Sequence, residues 1–448
     1  MTISNLRRLV RSAPALALVW AVVALVFGVA TIATQPVGAT SDTWAHVYRI
    51  DALLNGELLA HPVDAYSEMY NTEGTSYGGA VDWELVRLSD TCADRTSVAR
   101  IDTITRFDDT TADVPFNGAA IYSPLSYLPY LGALALARLL GLSALASYYI
   151  MLVAGLAAFV ALVALGIALL PRWHVAAALF FATPLSLMLA TSISADCMAF
   201  ASLALFSCLL LRCLVERPGR RALWGLAVLG VVVAASKLAY APLVVAPVAL
   251  LLVHPRLKGR LVSVGGAIVA FASVLAWSQI SGDIATSPNL VSWDEASART
   301  QSLLADPTRP LHDILWTIAT LQTYRLEFSL AHSAVALGTY LGIVVTLALF
   351  VASMVRRWTR PRTAAFWLVC LLLTIACIVL VLLALYLQYD PEGTPGIIGI
   401  QPRRYYWPVL PLVLFAFLEC LLAWQLAHKA RVTSCTGAPE TMLLDNSS

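Results

Sequence analysis

Long apolar stretches alternate with polar loops through most of the chain. A bilayer core of about 30 Å needs roughly 20 helical residues, and most of these stretches approach or exceed that length. The pattern therefore predicts an all-α, polytopic transmembrane helix bundle of about ten spans. The predicted spans are Ala13–Thr34, Ala144–Leu170, His174–Ser192, Cys197–Val215, Ala222–Ser236, Ala239–Val253, Leu261–Ile280, Ala334–Val355, Ala364–Leu387 and Tyr405–Ala427.

A further apolar stretch, Leu125–Leu142, is interpreted as an interfacial or re-entrant helix. It contains Pro129 and Arg138 and is short for a bilayer core. Counting it as a crossing would also move the next basic loop to the opposite side of the membrane. A tilted span is the alternative.

Basic residues at the span ends predict the orientation. Arg and Lys are enriched in cytoplasmic loops, so the five basic clusters and both termini are placed on that side. The clusters are Arg7/Arg8/Arg11, Arg217/Arg220/Arg221, Arg256/Lys258/Arg260, Arg356/Arg357/Arg360/Arg362 and Lys429/Arg431. Residues 35–143, 281–331 and 388–404 are then external loops.

One membrane-embedded domain is predicted for residues 1–427, followed by a disordered cytoplasmic tail at 428–448. The apolar core of a signal peptide has about 7–15 residues. The first apolar stretch is longer, which favours an uncleaved span. The loop that follows carries 14 Asp or Glu and five Arg but no Lys between Gln35 and Ile121, a composition unlike that of a cytoplasmic loop. Juxtamembrane helices are expected within it.

Composition agrees with a membrane protein and narrows its partners. Hydrophobic residues make up 59% of the 448 residues and charged residues 12%, about half the charged fraction of a soluble domain. The net charge of +2 gives no reason to expect a nucleic-acid partner. The eight cysteines form neither a disulfide framework nor a metal-binding spacing.

The first candidate for chemistry is the polar stretch Ser41–Leu58, directly after the first span. If Asp42 caps a helix, His46 and Arg49 share one face with it. This arrangement would place a carboxylate, an imidazole and a guanidinium together at the membrane surface. A solvated, capped interfacial helix is the alternative.

Other polar residues are predicted to lie on the same external side. They are Asp196, Lys237, Gln401, Arg403 and Arg404. Ionisable groups at membrane depth are costly, which favours a functional site over a chance gathering. The four charged residues also have structural alternatives: Lys237 reaching from a turn to the membrane surface, Asp196 capping a helix, and the two arginines anchoring beside an aromatic belt formed by Tyr405, Tyr406 and Trp407.

Together these residue types suit an anionic, lipid-linked substrate. Arginine forms two-pronged contacts with phosphate and lysine supplies a compact charge. A nearby carboxylate can remove the proton of a hydroxyl acceptor. A membrane-embedded transferase is one expectation, and a transporter or flippase for an envelope intermediate is another.

Several short motifs in order along the chain resemble a family of uncharacterised bacterial polytopic membrane proteins. The motifs are Asp42-x-x-x-His46-x-x-Arg49, Asn55-Gly56-Glu57-Leu58, Tyr122-Ser123-Pro124 with Tyr127 and Pro129, Pro184 with Ser194 and Asp196, Lys237-x-x-Tyr240, and Gly399 to Pro408. That family, a domain of unknown function, resembles the type-C (GT-C) glycosyltransferases. The resemblance implies an inverting transferase of a bacterial cytoplasmic membrane that uses a polyprenyl-phosphate sugar, with Asp42 as base and an envelope glycan or lipid as acceptor.

This chain departs from the family pattern in three places, one of which is the absence of an arginine that the family commonly has near Met151. Thr43 stands where the family has a second acidic residue, so a divalent cation bridged by an acidic pair is doubtful and no cofactor is expected with certainty. The motif before the last span reads Gln401-Pro402-Arg403-Arg404, which leaves open which arginine is the equivalent one. The missing acid also keeps a non-catalytic envelope-assembly partner as a third interpretation.

Overall fold

The structure is a computed structural model that describes residues 12–40, 42–63, 76–93, 107, 110–285, 291, 293–320, 329–355, 361–388, 396–397 and 402–436. The α-helices and strands are α1 (Ala13–Thr34), α2 (Thr43–Leu54), β1 (His61–Val63), β2 (Ser76–Asp82), α3 (Trp83–Ala93), β3 (Thr111–Pro115), α4 (Asn117–Ala120), α5 (Leu128–Leu139), α6 (Ala144–Leu169), α7 (His174–Phe181), α8 (Pro184–Ala190), α9 (Ala195–Val215), α10 (Arg220–Ser236), α11 (Ala246–Val253), α12 (Arg260–Ile280), α13 (Gly282–Ala285), α14 (Trp293–Ala305), α15 (Thr308–Thr320), α16 (Ser329–Val355), α17 (Pro361–Gln388), α18 (Pro402–Tyr405) and α19 (Leu410–Thr436). Short 3-10 helices cover Pro124–Tyr127, Leu238–Val245 and Trp407–Val409.

Six helices in the described residues are long and apolar enough to cross a membrane. They are Ala13–Thr34, Ala144–Leu169, Ala195–Val215, Arg260–Ile280, Pro361–Gln388 and Trp407–His428. The predicted Leu125–Leu142 stretch forms the 12-residue α5, about 18 Å long and too short for a bilayer core. The protein is a polytopic helical membrane protein, and the count of ten spans remains a prediction.

Two predicted continuous spans are interrupted by proline. His174–Ser192 is divided into α7 and α8, because Thr183 precedes Pro184 and takes an extended backbone. Ala239–Val253 begins as a 3-10 helix with Pro242 inside it and becomes α-helical only in α11. Proline removes a backbone donor and restricts its neighbour, which explains both interruptions.

The all-α prediction is wrong between His61 and Pro115, where the chain contains a small antiparallel sheet. Strand β2 lies between β1 and β3, with His61 opposite Gly78 and Gly78 opposite Pro115. A Cβ at Gly78 would lie 1.9 Å from the Val114 carbonyl oxygen, so the close approach of β3 requires glycine there. Helices α2, α3 and α5 lie before, within and after this sheet in the chain, and their placement beside a membrane remains a prediction.

Helix α2 is fixed to α5 and the sheet by a buried carboxylate. Asp51 accepts a hydrogen bond from Arg138 of α5 at 2.5 Å and from the backbone N–H of Asp82 at 2.7 Å. Arg138 also donates to the side chain of Asn55 at 2.9 Å. Both members of this ion pair make further hydrogen bonds, so the pair fixes the relative positions of α2, α5 and β2 more than it adds to stability. It holds the helix that begins directly after Asp42 in one orientation.

Helix α9 lies at the centre of the bundle and is buried along most of its length. Small and apolar residues cover all of its faces, as expected for a helix surrounded by other helices. Its first turn carries the buried carboxylate of Asp196. The core helix therefore supplies one rigid component of a polar cluster.

Candidate functional site

Four charged side chains from four separate segments form one ion-pair cluster. Asp42 precedes α2, Asp196 lies in the first turn of α9, Lys237 follows α10, and Arg404 lies in α18. Asp196 accepts from the Lys237 Nζ at 2.6 Å and from the Arg404 Nε at 2.5 Å. The Arg404 Nη1 donates to Asp42 at 2.6 Å. The structure thus brings together residues up to 362 positions apart in the sequence.

Asp196 is the buried centre of the cluster, with 3% of its side chain exposed. The alternative that it caps a helix is wrong, because the Ser194 hydroxyl accepts the capping bond from the Cys197 N–H. The alternative that Lys237 reaches to the membrane surface is also wrong. Lys237 is buried, pairs with Asp196, and lies 4.2 Å from the ring centre of Tyr405.

Asp42 is the exposed member of the cluster, with 43% of its side chain accessible. Helix α2 begins directly after it, but the predicted capping bond is absent: Asp42 has φ 61° and its side chain caps no backbone N–H. The carboxylate is bound to Arg404 instead. Partial removal from water raises the pKa of Asp42, but the charge and hydrogen bond of Arg404 outweigh this, and the pKa lies below its usual value.

His46 faces the cluster from the first turn of α2 but is buried. Its Nδ1 lies 2.7 Å from the Tyr127 hydroxyl, and its ring packs against Tyr122 at 5.6 Å between ring centres. Burial and the charge of Arg404 lower the pKa of His46 to about 4. The imidazole is therefore neutral at pH 7 and is held by tyrosines rather than by a carboxylate.

Arg49 lies outside the ion-pair cluster. The prediction that it joins Asp42 at one site is therefore wrong. Its guanidinium is fully buried and donates to the carbonyls of Glu57 and Leu58, at 3.4 and 2.7 Å. It also lies over the ring of Phe116. These contacts hold the chain that leaves α2, so Arg49 is a structural residue in this state.

Of the two arginines in the last motif, Arg404 is the one whose side-chain contacts the structure describes. Arg404 binds both carboxylates, and its side chain is 12% exposed. Arg403 lies in α18, but its side chain is outside the described residues, as is all of Gln401. Tyr406, one of the three aromatic residues of the proposed belt, is fully buried in the protein and therefore cannot lie at a lipid interface.

Tyrosines complete the surroundings of the cluster, and reasoning from charges alone did not assign them a role. The Tyr240 hydroxyl donates to the backbone carbonyls of Arg404 and Tyr405, at 3.1 and 3.3 Å. It thereby positions the short helix that carries Arg404. The sequence feature that could have indicated this role is the motif Lys237-x-x-Tyr240, in which the tyrosine follows the lysine by three residues.

A cavity of about 420 Å³ opens beside the cluster. Lys237, Tyr405 and Tyr122 line it where it meets the cluster, and most of its remaining wall is apolar. The apolar wall comes mainly from α10, α12 and α17, with residues that include Ala234, Val274, Leu380, Val381, Ala384 and Leu387. Charge at one end and apolar surface along the rest match an amphipathic ligand.

The cluster does not fit a divalent cation. Asp42 and Asp196 are both bound to cationic side chains, and Thr43 is buried with its hydroxyl against Thr40. A hard cation prefers several uncommitted oxygen ligands. Elsewhere in the described residues, Glu57, His61 and Asp113 have ligand atoms within 4.8 Å of one another, where the segment after α2 meets the sheet.

Comparison with protein-family models gives a match over most of the chain. The model of a family described as "Predicted membrane protein (DUF2142)" matches residues 25–413. Neither a curated protein nor a solved structure matches the chain. The matched range includes every member of the ion-pair cluster and all of the cavity-lining residues.

Proposed function

We propose that this chain, which belongs to the family of predicted membrane proteins matched above, is an inverting membrane glycosyltransferase. We further propose that it is related to the GT-C enzymes. It moves a sugar from a polyprenyl-phosphate carrier to a cell-envelope glycan or lipid on the external face of a bacterial cytoplasmic membrane. One observation carries the proposal. Two cations, Lys237 and Arg404, are held together by Asp196 between an exposed carboxylate and an apolar cavity.

The two cations suit the phosphate of the donor. The Arg404 guanidinium is a planar donor able to hold two phosphate oxygens, and the Lys237 ammonium adds a compact charge. Asp196 keeps both in place, because its two oxygens are bonded to the two different cations. Such preorganised charge is worth most where negative charge develops during reaction.

The cavity suits the lipid part of the donor. Its apolar wall begins beside Lys237 and Tyr405 and runs along α10, α12 and α17. A prenyl chain in this cavity would place its phosphate at the cations. Burying apolar chain also contributes roughly 25 cal/mol per Å² to binding, which supports recognition of the carrier by its hydrocarbon as well as its charge.

Asp42 suits the role of general base. The acceptor hydroxyl gives its proton to the Asp42 carboxylate while its oxygen bonds to the anomeric carbon of the sugar. The bond from that carbon to the phosphate oxygen breaks, and the electron pair leaves with the polyprenyl phosphate. Lys237 and Arg404 then stabilise the added negative charge on the leaving phosphate.

Glycan analysis of the cell envelope tests this proposal. Deletion of the gene should remove or shorten one envelope glycan, and the wild-type gene should restore it. Asp42→Asn should reach the membrane in normal amount without restoring the glycan. Glu216→Gln is the matched control, because it removes an exposed carboxylate ion-paired to Arg212 at the far end of α9. Full restoration by Asp42→Asn contradicts the base assignment, and an unchanged glycan profile after deletion contradicts the glycosyltransferase proposal.

A further inference from the structure

Asp42 occupies a position that conflicts with its proposed role. A general base needs a carboxylate free to accept a proton, yet Asp42 is bonded to Arg404 at 2.6 Å. Arg404 is also a proposed ligand of the donor phosphate. The same guanidinium therefore has two competing anions, one from the protein and one from the substrate.

We propose that the donor phosphate displaces Asp42 from Arg404, so that the base is released only when the lipid-linked donor is bound. This inference rests on the proposed function and adds an order to it: donor first, acceptor activation second. Before the donor binds, Arg404 keeps Asp42 deprotonated and engaged, so an acceptor hydroxyl meets no available base. After the donor binds, the free carboxylate lies beside the phosphate and its sugar.

Accessibility identifies Asp42 as the anion that leaves. Its side chain is 43% exposed, whereas that of Asp196 is 3% exposed and is bonded to both cations. Water competes for the exposed Asp42 carboxylate, which weakens its pairing with Arg404. Separating Asp196 from either cation would leave a buried charge without one of its partners, which costs far more. An incoming phosphate therefore replaces Asp42 at far lower cost than Asp196.

The backbone at Asp42 also favours release. Its φ of 61° lies in the left-handed region, which is uncommon for a residue other than glycine. The first turn of α2 lacks the side-chain cap that an Asp at this position ordinarily supplies. Release allows Asp42 to return to an extended backbone and to cap α2, which offsets part of the lost ion pair.

After transfer, the site returns to its starting state when Asp42 pairs with Arg404 again, and the charge of the product phosphate determines when this occurs. The donor phosphodiester carries one negative charge, and the product polyprenyl phosphate carries a second one at neutral pH. The product therefore holds Arg404 at least as strongly as the donor does. Asp42, which has taken the acceptor proton, passes it to water and pairs with Arg404 again once the product has left.

Binding of undecaprenyl monophosphate to the purified, detergent-solubilised protein tests this competition. Because Asp42 must leave for the phosphate to bind, the wild-type affinity is reduced by the small fraction of molecules in which Arg404 is free. Asp42→Ala should bind the probe about tenfold more tightly than wild type. Asp42→Asn, which loses the charge but keeps a polar group, should lie between the two. Glu216→Gln should bind as wild type does.

Three results would overturn the idea in distinguishable ways. Wild-type binding with equal or weaker binding by both Asp42 variants rejects the displacement and leaves the transferase proposal standing. No binding by the wild type and both Asp42 variants rejects the phosphate site itself, and with it the proposed function. Tighter binding by Glu216→Gln as well would show a general effect of net charge, which also rejects the displacement. Thermal unfolding of each variant checks that its fold is retained.

Discussion

The Arg404 Nη1 lies 2.6 Å from the Asp42 Oδ2, which joins the segment after α1 to the segment before the last helix. The same guanidinium binds Asp196 through its Nε. One side chain thereby connects the central helix of the bundle to the loop that carries the exposed carboxylate. The proposed chemistry depends on that connection, and the variants below test it.

Replacing Arg404 should lower transfer far more than replacing its neighbour. Arg404→Gln removes the contacts to Asp42 and Asp196 and the proposed contact to the donor phosphate, and we expect a loss of roughly 100-fold or more in the rate of sugar transfer. Arg403→Gln is the matched control on the same short helix and should have a much smaller effect. Transfer assays on membranes that contain equal amounts of each variant decide between the two arginines. An equal or larger loss for Arg403→Gln would contradict the assignment to Arg404.

Lys237→Ala should weaken binding of the donor more than that of the acceptor. The ammonium is proposed to contact phosphate, and its removal leaves Asp196 with Arg404 as its remaining cationic partner among the described residues. The KM for the lipid-linked donor is expected to rise about tenfold or more, in line with the roughly 1.5–3 kcal/mol of a charged hydrogen bond. Lys258→Ala, in a basic loop predicted to be cytoplasmic, is the control. Equal rises in both KM values would count against a phosphate role for Lys237.

Filling the cavity should impair use of a long-chain donor. Ala384→Trp places a large ring in the wall formed by α17. We expect a higher KM for a polyprenyl donor and little change for a water-soluble donor with a short prenyl chain, because the short chain does not fill the cavity. Leu372→Trp adds the same ring to an exposed position of α17 and serves as the control. The same loss with both donors would indicate a general disturbance of the fold instead.

His46 should make the folded state sensitive to mild acid. Burial lowers the pKa of His46 to about 4, below its usual 6.5, so the folded protein keeps it neutral. The unfolded chain binds a proton below about pH 6.5. The contribution to stability is therefore complete above pH 6.5 and declines as the pH falls from about 6.5 towards 4.

Thermal unfolding of detergent-solubilised protein between about pH 7.5 and about pH 5 measures this effect. His46→Asn should show a smaller fall in unfolding temperature with acid than the wild type shows. His312→Asn changes an exposed histidine and should keep the wild-type dependence. An unchanged pH dependence in His46→Asn would contradict burial of the neutral imidazole.

Charge and hydrophobicity predicted the gross features of the site but not its internal pairing. The sequence marked Asp42, Asp196, Lys237 and the two arginines as candidates, because ionisable residues beside apolar spans are costly. It also placed Arg49 with them on the basis of helix spacing. In the structure that side chain is bound by the carbonyls of Glu57 and Leu58, and helix spacing carries no information about such nearby acceptors.

Local rules failed for Asp42 and Asp196 in the same way. Each stands near a helix N-terminus, where a capping bond to the backbone is the usual expectation. In both cases a cation from a distant segment binds the carboxylate instead. In the ion pair both partners carry a full charge, whereas the backbone N–H of a cap is neutral, so the cationic partners outcompete the cap. The three-stranded sheet was missed because its strands are short and separated by long polar segments.

The sequence by itself determined that this is a polytopic helical membrane protein, because long apolar runs leave no other stable arrangement in a bilayer. It also determined which residues carry charge beside the apolar spans. Only the tertiary structure decided which of those charges meet, that Arg404 links two carboxylates, and that an apolar cavity lies beside Lys237. These facts depend on how separate helices pack against one another, and packing is set by contacts between residues far apart in the chain.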